Sequence, residues 1–438
     1  MTIAALSYRD AVELLTARGR FGIKLGLERT RALLDAVGAP DTGLRGALVA
    51  GTNGKGSTCA FLVSILTAAG YRVGSMPKPH LSTYTERVCI DGHPIAEADF
   101  AALVAELMPA VDAIATEHGP ATEFEMLTAA ALLHMRRSEV DYLVCEVGMG
   151  GALDATNVLD LGVKVITTVE LDHMQYLGPD VAAIAAQKAG IIRPGDVVVT
   201  GRLRPEADAV VREAAATAGA EVWGLGQEIE MSATDLGWEG STFDLRVPLA
   251  PAGMDRVATR MLGPHQADNA ATAVAAAWAM WHRLQTRVGR GHMRRGVLRA
   301  RWPGRLELVR RGGRVLVDSG HNPAAVAGVV AAVAALVEDG PPPVVLFGAM
   351  TDKDIDGMLR GIPGDWPVVF TAVAEDRAES PAALLAAAAA AGREGDTAVD
   401  GVPAALAAAR AAAGREGLVL VLGSLYLAGA VREELGLA

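Results

Sequence analysis

Residues 46–70 read GALVAGTNGKGSTCAFLVSILTAAG. An apolar β-type run, Gly46–Ala50, leads into the loop Gly51-Thr52-Asn53-Gly54-Lys55-Gly56-Ser57, and a long apolar helical run follows. Strand, glycine loop and helix in that order suit phosphate binding. Glycines let the backbone approach an anion, successive N–H groups and the helix N-terminus face it, and Lys55 can reach the terminal phosphates. The strict Walker spacing needs four residues between its first glycine and the Gly-Lys pair, and this loop is shorter. A plain glycine turn joining strand to helix is therefore the alternative.

Outward from the loop, short β-rich runs alternate with Ala/Leu-rich helical runs, which builds a parallel sheet covered by helices. The fold class is α/β. Strands are expected at Gly46–Ala50, Arg72–Met76, Tyr142–Val147, Val163–Glu170 and Asp196–Thr200. Residues 221–262 change character, and the alternation in STFDLRVP and RVATRML predicts a small antiparallel excursion. A helix from about Asp268 to Leu284 follows. From Arg314 the α/β alternation restarts, with strands at Arg314–Val317, Val344–Phe347, Val368–Thr371 and Leu418–Leu422. The expected organisation is an N-terminal domain over 1–298, a linker RARWPG over 299–304, and a C-terminal domain over 305–438. The Ala-rich tract 382–392 has strong helix propensity and is read as a helix.

With 438 residues the chain has room for two to four domains at roughly 100–200 residues each. Its 51% hydrophobic and 21% charged residues are those of a globular protein rather than a disordered one. A net charge of −11 opposes neutralising nucleic-acid phosphates, so no nucleic-acid partner is expected. Cys59, Cys89 and Cys145 lack CxxC spacing and fit a reducing, cytoplasmic setting. The opening MTIAALSYRDAVELL places Arg9, Asp10 and Glu13 where a secretory signal needs an apolar stretch, so no export signal is expected. The longest apolar run, Ala324 to Val337, is shorter than the ~20 residues of a membrane span and is read as a buried helix. No fixed repeat stands out.

Several polar residues fall where strands end. Glu146 closes YLVCEVGMGG and His173 closes VITTVELDH, each at the carboxyl end of its run. Ligands of parallel sheets bind outside those ends. Oxygen and imidazole donors beside a phosphate loop suit a divalent cation, Mg²⁺ foremost. The bland readings are a cap or ion pair for Glu146 and a core imidazole for His173. Lys188, in QKAGIIRPG, would ordinarily be a solvated helical lysine, though its sequence neighbours are apolar. In VDSGHNP, Asn322 and Pro323 are explained as N-cap and first helical residue, but Asp318 and His321 are not needed for that. The runs TDKD (351–354) and GSLY (423–426) also follow strands.

Taken together, GTNGKGS, EVGMGG with LDATN, LDHMQYLG, QKAGIIRPG, GPHQADNAATA, RWPGRLE, DSGHNP, DKDIDGML and GSLYLAG resemble the folylpolyglutamate synthase/dihydrofolate synthase family of the Mur ligase superfamily. The matches run in order over essentially the whole chain, from about residue 25 to 430. The resemblance implies a P-loop ATPase domain of Mur-ligase type and a smaller Rossmann-like C-terminal domain, with ATP between them. It implies nucleotide contacts from Gly51 to Ser57 and from Asn269, Arg305, Asp318 and His321. Ser57, Glu146 and His173 would hold Mg²⁺. Lys188 would carry a carbamate and position a second Mg²⁺. Thr122 and Phe124 in TEFE, with Asp154 and His80, would contact the pterin-bearing substrate.

One departure matters. The family usually has Ser-Pro-His after the strand that follows the P-loop helix, and this chain has Lys78-Pro79-His80. A protonated ammonium has no lone pair and cannot replace the serine oxygen on a metal. Either the metal takes a water there instead, or Lys78 neutralises phosphate charge near the γ-position, or, turned by Pro77 and Pro79, it faces solvent. DSGHNP in place of the usual DGAHNP is a milder change.

The implied reaction is carboxylate activation in a monomeric, cytoplasmic enzyme. A pteroate or folyl carboxylate attacks the γ-phosphate of ATP, and the amine of L-glutamate then displaces phosphate from the acyl phosphate. Positioning and charge stabilisation do most of the work in such a phosphoryl transfer. The alternatives are a Mur-type ligase acting on another carboxylate, or a nucleotide-binding homologue without catalysis. DKDIDGML and LDATN disfavour the first. The joint presence of Lys55, Glu146, His173, Lys188 and His321 argues against the second.

Overall fold

The computed structural model describes residues 6–19, 26–250, 253–338 and 340–437, so residues 1–5 of the opening segment lie outside the described residues. The chain forms two compact units. One comprises Met1–Ser232, Phe243–Ala258 and Asp268–Ala300, the other Ala233–Thr242, Thr259–Ala267 and Arg301–Ala438. The segments Ala233–Thr242 and Thr259–Ala267 thus fall with the later unit, whereas the sequence reading keeps them within 1–298.

The first unit is built on strands β1 (Gly46–Ala50), β2 (Val73–Met76), β3 (Cys89–Ile90), β4 (His93–Pro94), β5 (Tyr142–Glu146), β6 (Gly162–Ile166), β7 (Val197–Thr200) and β8 (Glu221–Gly224). They lie in the order β4-β3-β2-β5-β1-β6-β7-β8. The run from β2 to β8 is parallel, and β3 and β4 add an antiparallel edge. Strand β1 is central because all five of its residues are apolar or glycine and all are buried. Its neighbours are β5 on one side and β6 on the other, so the loop after β1 opens where the chain's strand order reverses, the usual ligand position of an open α/β sheet.

The helix Lys55–Ala68 is buried nearly all round. That explains why its apolar residues run round the whole helix, since a helix covered on nearly every side needs no polar stripe. The helix Arg290–Arg299 approaches it closely at Gly296, where a Cβ would stand 2.4 Å from the Ile65 Cα. The Ser64 hydroxyl donates to the Gly296 carbonyl at 2.8 Å.

Two expectations about this sheet need correcting. Strand β6 ends at Ile166, not Glu170: the Thr167 N–H still donates to the Ala50 carbonyl of β1, but the Thr167 hydroxyl, Thr168 and Glu170 bond to the glycine loop instead of to a sheet neighbour. Residues 221–224 belong to the main sheet, where β8 pairs parallel with β7, so the β excursion starts later. Strands β9 (Glu230–Gly237), β10 (Gly240–Arg246) and β11 (Met254–Thr259) form that excursion, in the order β11-β10-β9. The short connection Trp238–Glu239 between β9 and β10 permits only antiparallel pairing.

The second unit carries β12 (Glu307–Val309), β13 (Arg314–Val317), β14 (Val344–Phe347), β15 (Val368–Phe370), β16 (Thr397–Ala398) and β17 (Leu418–Leu422), ordered β12-β13-β17-β14-β15-β16. All neighbours are parallel except the edge pair β12 and β13. The Ala-rich tract is the helix Pro381–Ala390, and the long apolar run is the helix Pro323–Leu336. Among the described residues, no helix is long and apolar enough to cross a membrane.

Candidate active site

The loop after β1 adopts backbone that its glycines make possible. Gly54 has φ 84° and caps the helix Lys55–Ala68, and a Cβ on Gly51 would lie 1.9 Å from the Thr167 hydroxyl oxygen. The segment after β6 clamps this loop. Thr52 N–H donates to the Thr168 carbonyl at 2.8 Å, Asn53 N–H to the Thr168 hydroxyl at 3.0 Å, and the Thr167 hydroxyl to the Asn53 carbonyl at 2.6 Å. The Thr52 hydroxyl and the Glu170 backbone add another link. The first-turn N–H groups of Lys55, Gly56 and Ser57 have no acceptor within the helix, as at any helix start, which leaves a fixed cradle of donors for an anion. The Lys55 ammonium folds over the loop, donating to the Gly51 and Thr52 carbonyls at 2.9 and 3.0 Å. Asn269, on the helix Pro264–Leu284, closes the other side of Gly54.

Glu146 is 3% exposed at the carboxyl end of β5, in register with Val49 of β1. Its Oε2 accepts the Lys78 N–H at 3.1 Å, and its carbonyl accepts the Lys78 ammonium at 2.6 Å. The same ammonium stands 4.2 Å from the centroid of the Phe124 ring. Lys78 therefore does not turn outward to solvent. The Lys78–Pro79 peptide is cis.

Phe124 occupies the first turn of the helix Glu123–Arg137, whose start is fixed by a capping box between Thr122 and Glu125 and by the Arg29–Glu125 pair at 2.7 Å. The Thr122 hydroxyl is engaged in that box. A Cβ on Gly148 would touch both the Phe124 ring, at 2.9 Å, and the Asp154 carboxylate, at 3.0 Å. Asp154 is buried and accepts from Met149 N–H, Thr156 N–H and the Thr156 hydroxyl. Phe124, Asp154, Lys78 and Glu146 are thereby brought together.

His80 belongs to an adjoining aromatic group. Its ring lies 4.4 Å from that of Tyr84, and the Arg87 Nε donates to its Nδ1 at 2.9 Å. Burial first, and the Arg87 charge second, push this imidazole down to about 4. His80 is a neutral ring with its proton on Nε2.

Lys188 is 3% exposed on the helix Val181–Ala189, so it is not the solvated lysine its residue type suggests. Burial, then the nearby Lys55 charge, lowers its ammonium to about 7, against the opposing pull of Asp172 and Asp154. A neutral amine is thus accessible at ordinary pH. His173 stands well past the end of β6, in a left-handed conformation with φ 49°, capping the short helix Met174–Leu177. Its side chain is 40% exposed and its Nε2 lies 3.9 Å from Asp172 Oδ1.

In the second unit, Asp318 is buried just after β13 and accepts from Leu306 N–H at 2.8 Å and from Gly320 N–H at 2.7 Å. Burial raises its carboxyl, opposed by the charges of Arg305 and His265. His321 Nδ1 lies 2.9 Å from the Ser319 carbonyl, and Arg305 donates to the Gly304 carbonyl. Asn322, Asp354 and Ser424 cap helices, which accounts for much of the polarity of DSGHNP, TDKD and GSLY.

Sequence reasoning missed the clamp from Thr167, Thr168 and Glu170 and the partner role of Asp172. A threonine pair directly after a strand was the available signal, but its partners are far away in sequence. Among the described residues no group of three or more His, Cys, Asp or Glu side chains forms a metal cage. The buried Ser57 hydroxyl and Glu146 carboxylate are hard oxygen donors beside a phosphate cradle. Such a set fits Mg²⁺, which is commonly held by one or two carboxylates together with substrate phosphates.

The family model for the Mur ligase middle domain matches residues 49–277, and that for the Mur ligase glutamate ligase domain matches residues 304–425. The dihydrofolate synthase/folylpolyglutamate synthase of Bacillus subtilis is 36% identical over 81% of this chain and 82% of its own. Folylpolyglutamate synthase of Lacticaseibacillus casei is 33% identical over 98% and 99%. The solved structure of Mycobacterium tuberculosis folylpolyglutamate synthase complexed with ADP superposes with a TM-score of 0.90 at 31% identity, covering 98% of both chains. Escherichia coli FolC in complex with DHPP and ADP gives 0.86 at 32% identity, covering 97% of both.

Proposed function

The chain belongs to the Mur ligase family, among its folylpolyglutamate/dihydrofolate synthases, and we propose that its glycine loop, Glu146 and Lys188 form the centre that activates the acceptor carboxylate. It is an ATP-dependent ligase that joins L-glutamate to a pteroate or folyl carboxylate. The observation that carries the site is the meeting of the clamped loop with a buried carboxylate at the next strand end, Val49 being in register with Glu146.

In this reading Gly51–Ser57 bind the triphosphate through backbone N–H groups, and Lys55 leaves its loop carbonyls for the β/γ-phosphates. Asn269 fixes the nucleotide side of Gly54. Asp318, His321 and Arg305 serve the nucleotide from the later part of the chain. Ser57 and Glu146, with His173, would hold Mg²⁺, which when bound neutralises charge building on the transferred phosphoryl group. The acceptor carboxylate oxygen forms a bond to the γ-phosphorus as the bond to ADP breaks. The glutamate nitrogen then bonds to the acyl carbon, phosphate leaves, and a proton is lost from nitrogen. Phe124, Thr122, Asp154 and His80 bind and orient the pterin-bearing substrate.

Lys188 acts as its carbamate. Its unprotonated amine forms an N–C bond with CO₂ and loses a proton, giving an anion where an ammonium would repel Lys55. The free, buried Cys59, Cys89 and Cys145 suit a reducing compartment, and the reading places a monomeric enzyme in the cytoplasm. Mass spectrometry of products from dihydropteroate and from tetrahydrofolate, each with ATP, Mg²⁺ and glutamate, tests the function. A product heavier by one or more glutamyl residues is expected with at least one of them. ATP consumption without a glutamyl product would overturn the reading.

A further inference from the structure

Lys78 is only part-exposed, and its ammonium has specific partners. It donates to the Glu146 carbonyl at 2.6 Å and lies 4.2 Å from the Phe124 ring centroid, while its backbone N–H holds Glu146 Oε2. One side chain thus joins the end of β5 to the first turn of the helix Glu123–Arg137. The ring is also bounded at Gly148, where there is no room for a Cβ, and its backbone is set by the Thr122–Glu125 capping box.

We propose that Lys78 is a positioning residue for the aromatic part of the acceptor substrate, holding Phe124 as a fixed, polarised platform for the planar pteridine or benzoyl ring. This rests on the reading of Phe124 as a substrate contact. A cation on a ring face is attracted by the ring's quadrupole and withdraws electron density from it. Withdrawal favours stacking with an electron-rich heterocycle, and fixing the ring beforehand removes an ordering cost on binding. With a backbone carbonyl and the ring as its partners, the ammonium has less freedom to follow phosphate charge. Lys78 then governs acceptor affinity rather than ATP affinity.

The test measures binding of dihydropteroate and of tetrahydrofolate without nucleotide, binding of ADP with Mg²⁺, and the KM values for acceptor and ATP. These are taken for wild type, Lys78→Met, Lys78→Arg and Phe124→Leu, with circular dichroism to confirm the fold. Lys78→Met should weaken acceptor binding and raise acceptor KM by about tenfold, with ATP KM and ADP binding within about twofold of wild type. Lys78→Arg, which keeps a cation over the ring, should restore most of the loss. In a Phe124→Leu background, Lys78→Met should add little. A shift confined to ATP KM or ADP binding would overturn the proposal in favour of a phosphate role. Unchanged affinities for both ligands, or a fall in kcat alone, would also overturn it. Wild-type protein that binds neither acceptor would instead bring down the functional reading and this proposal with it.

Discussion

Asn269 Oδ1 lies 2.4 Å from the point that a Cβ on Gly54 would occupy, so the nucleotide loop and the helix Pro264–Leu284 meet where any larger residue must push the Asn269 side chain aside. Gly54 also has φ 84°, a conformation that carries a penalty of roughly 1 kcal/mol for other residues. Gly54→Ala should therefore displace Asn269 and weaken ADP binding by at least about tenfold. Asn269→Ala should weaken it too, and the double variant should lose less than the sum, since contacting residues couple. Calorimetric titration with ADP checks this, and strict additivity would separate the two residues.

Lys55→Ala should abolish ATP-dependent ligation, by about 100-fold or more, while leaving the far-ultraviolet spectrum unchanged. The side chain spans only its own loop, through the Gly51 and Thr52 carbonyls, so little folded structure depends on it. Wild-type rates in a product assay would remove the loop from the mechanism.

Lys188 predicts a pH dependence with a definite sign. Its ammonium loses its proton near 7 in the folded protein, whereas an exposed lysine keeps it to about 10.4. Between those values the unfolded chain binds a proton that the folded chain does not, so stability rises with pH across that window. The cost of burying the charge is complete below pH 7. Lys188→Met should be the more stable protein at pH 6, with its advantage shrinking by pH 9, as read from urea unfolding in CO₂-depleted buffer. Parallel curves would contradict this. Lys188→Ala should be inactive and partly rescued by a small carboxylate standing in for the carbamate.

His321→Ala should lower kcat/KM for ATP by about tenfold or more if the imidazole serves the nucleotide. It should shift the melting temperature little, because the ring's contact with the Ser319 carbonyl is local. Initial rates at varied ATP decide the matter, and an unchanged kcat/KM would take His321 out of the nucleotide site.

Away from the site, Lys164 on β6 is fully buried, with its ammonium 3.5 Å from the equally buried Asp196. Lys164→Met strands that carboxylate and should cost about 3–5 kcal/mol in urea unfolding. Combining it with Asp196→Asn should recover much of the loss. If the single variant is as stable as wild type, the pair contributes nothing.

The order of apolar runs, turns and helices was enough to give the α/β class, the strand–loop–helix at 46–68 and the second α/β region from Arg314. These are local consequences of hydrophobic period and glycine placement. The sequence also marked Glu146, Lys188 and Lys78 as positions worth attention, through their setting and their family resemblance. What surrounds them depends on how distant segments pack. Residues 167–170 look like more of β6, yet the Thr167 hydroxyl, Thr168 and Glu170 bond to a loop more than a hundred positions earlier, and no local pattern encodes that exchange. Lys188 has the residue type of a surface and the burial of a core, because the residues enclosing it come from distant segments. Lys78 was read as facing either phosphate or solvent, and three-dimensional packing turns it inward, onto a carbonyl and an aromatic ring. Charge state and side-chain direction depend on which distant groups exclude water, and that is a property of the folded chain.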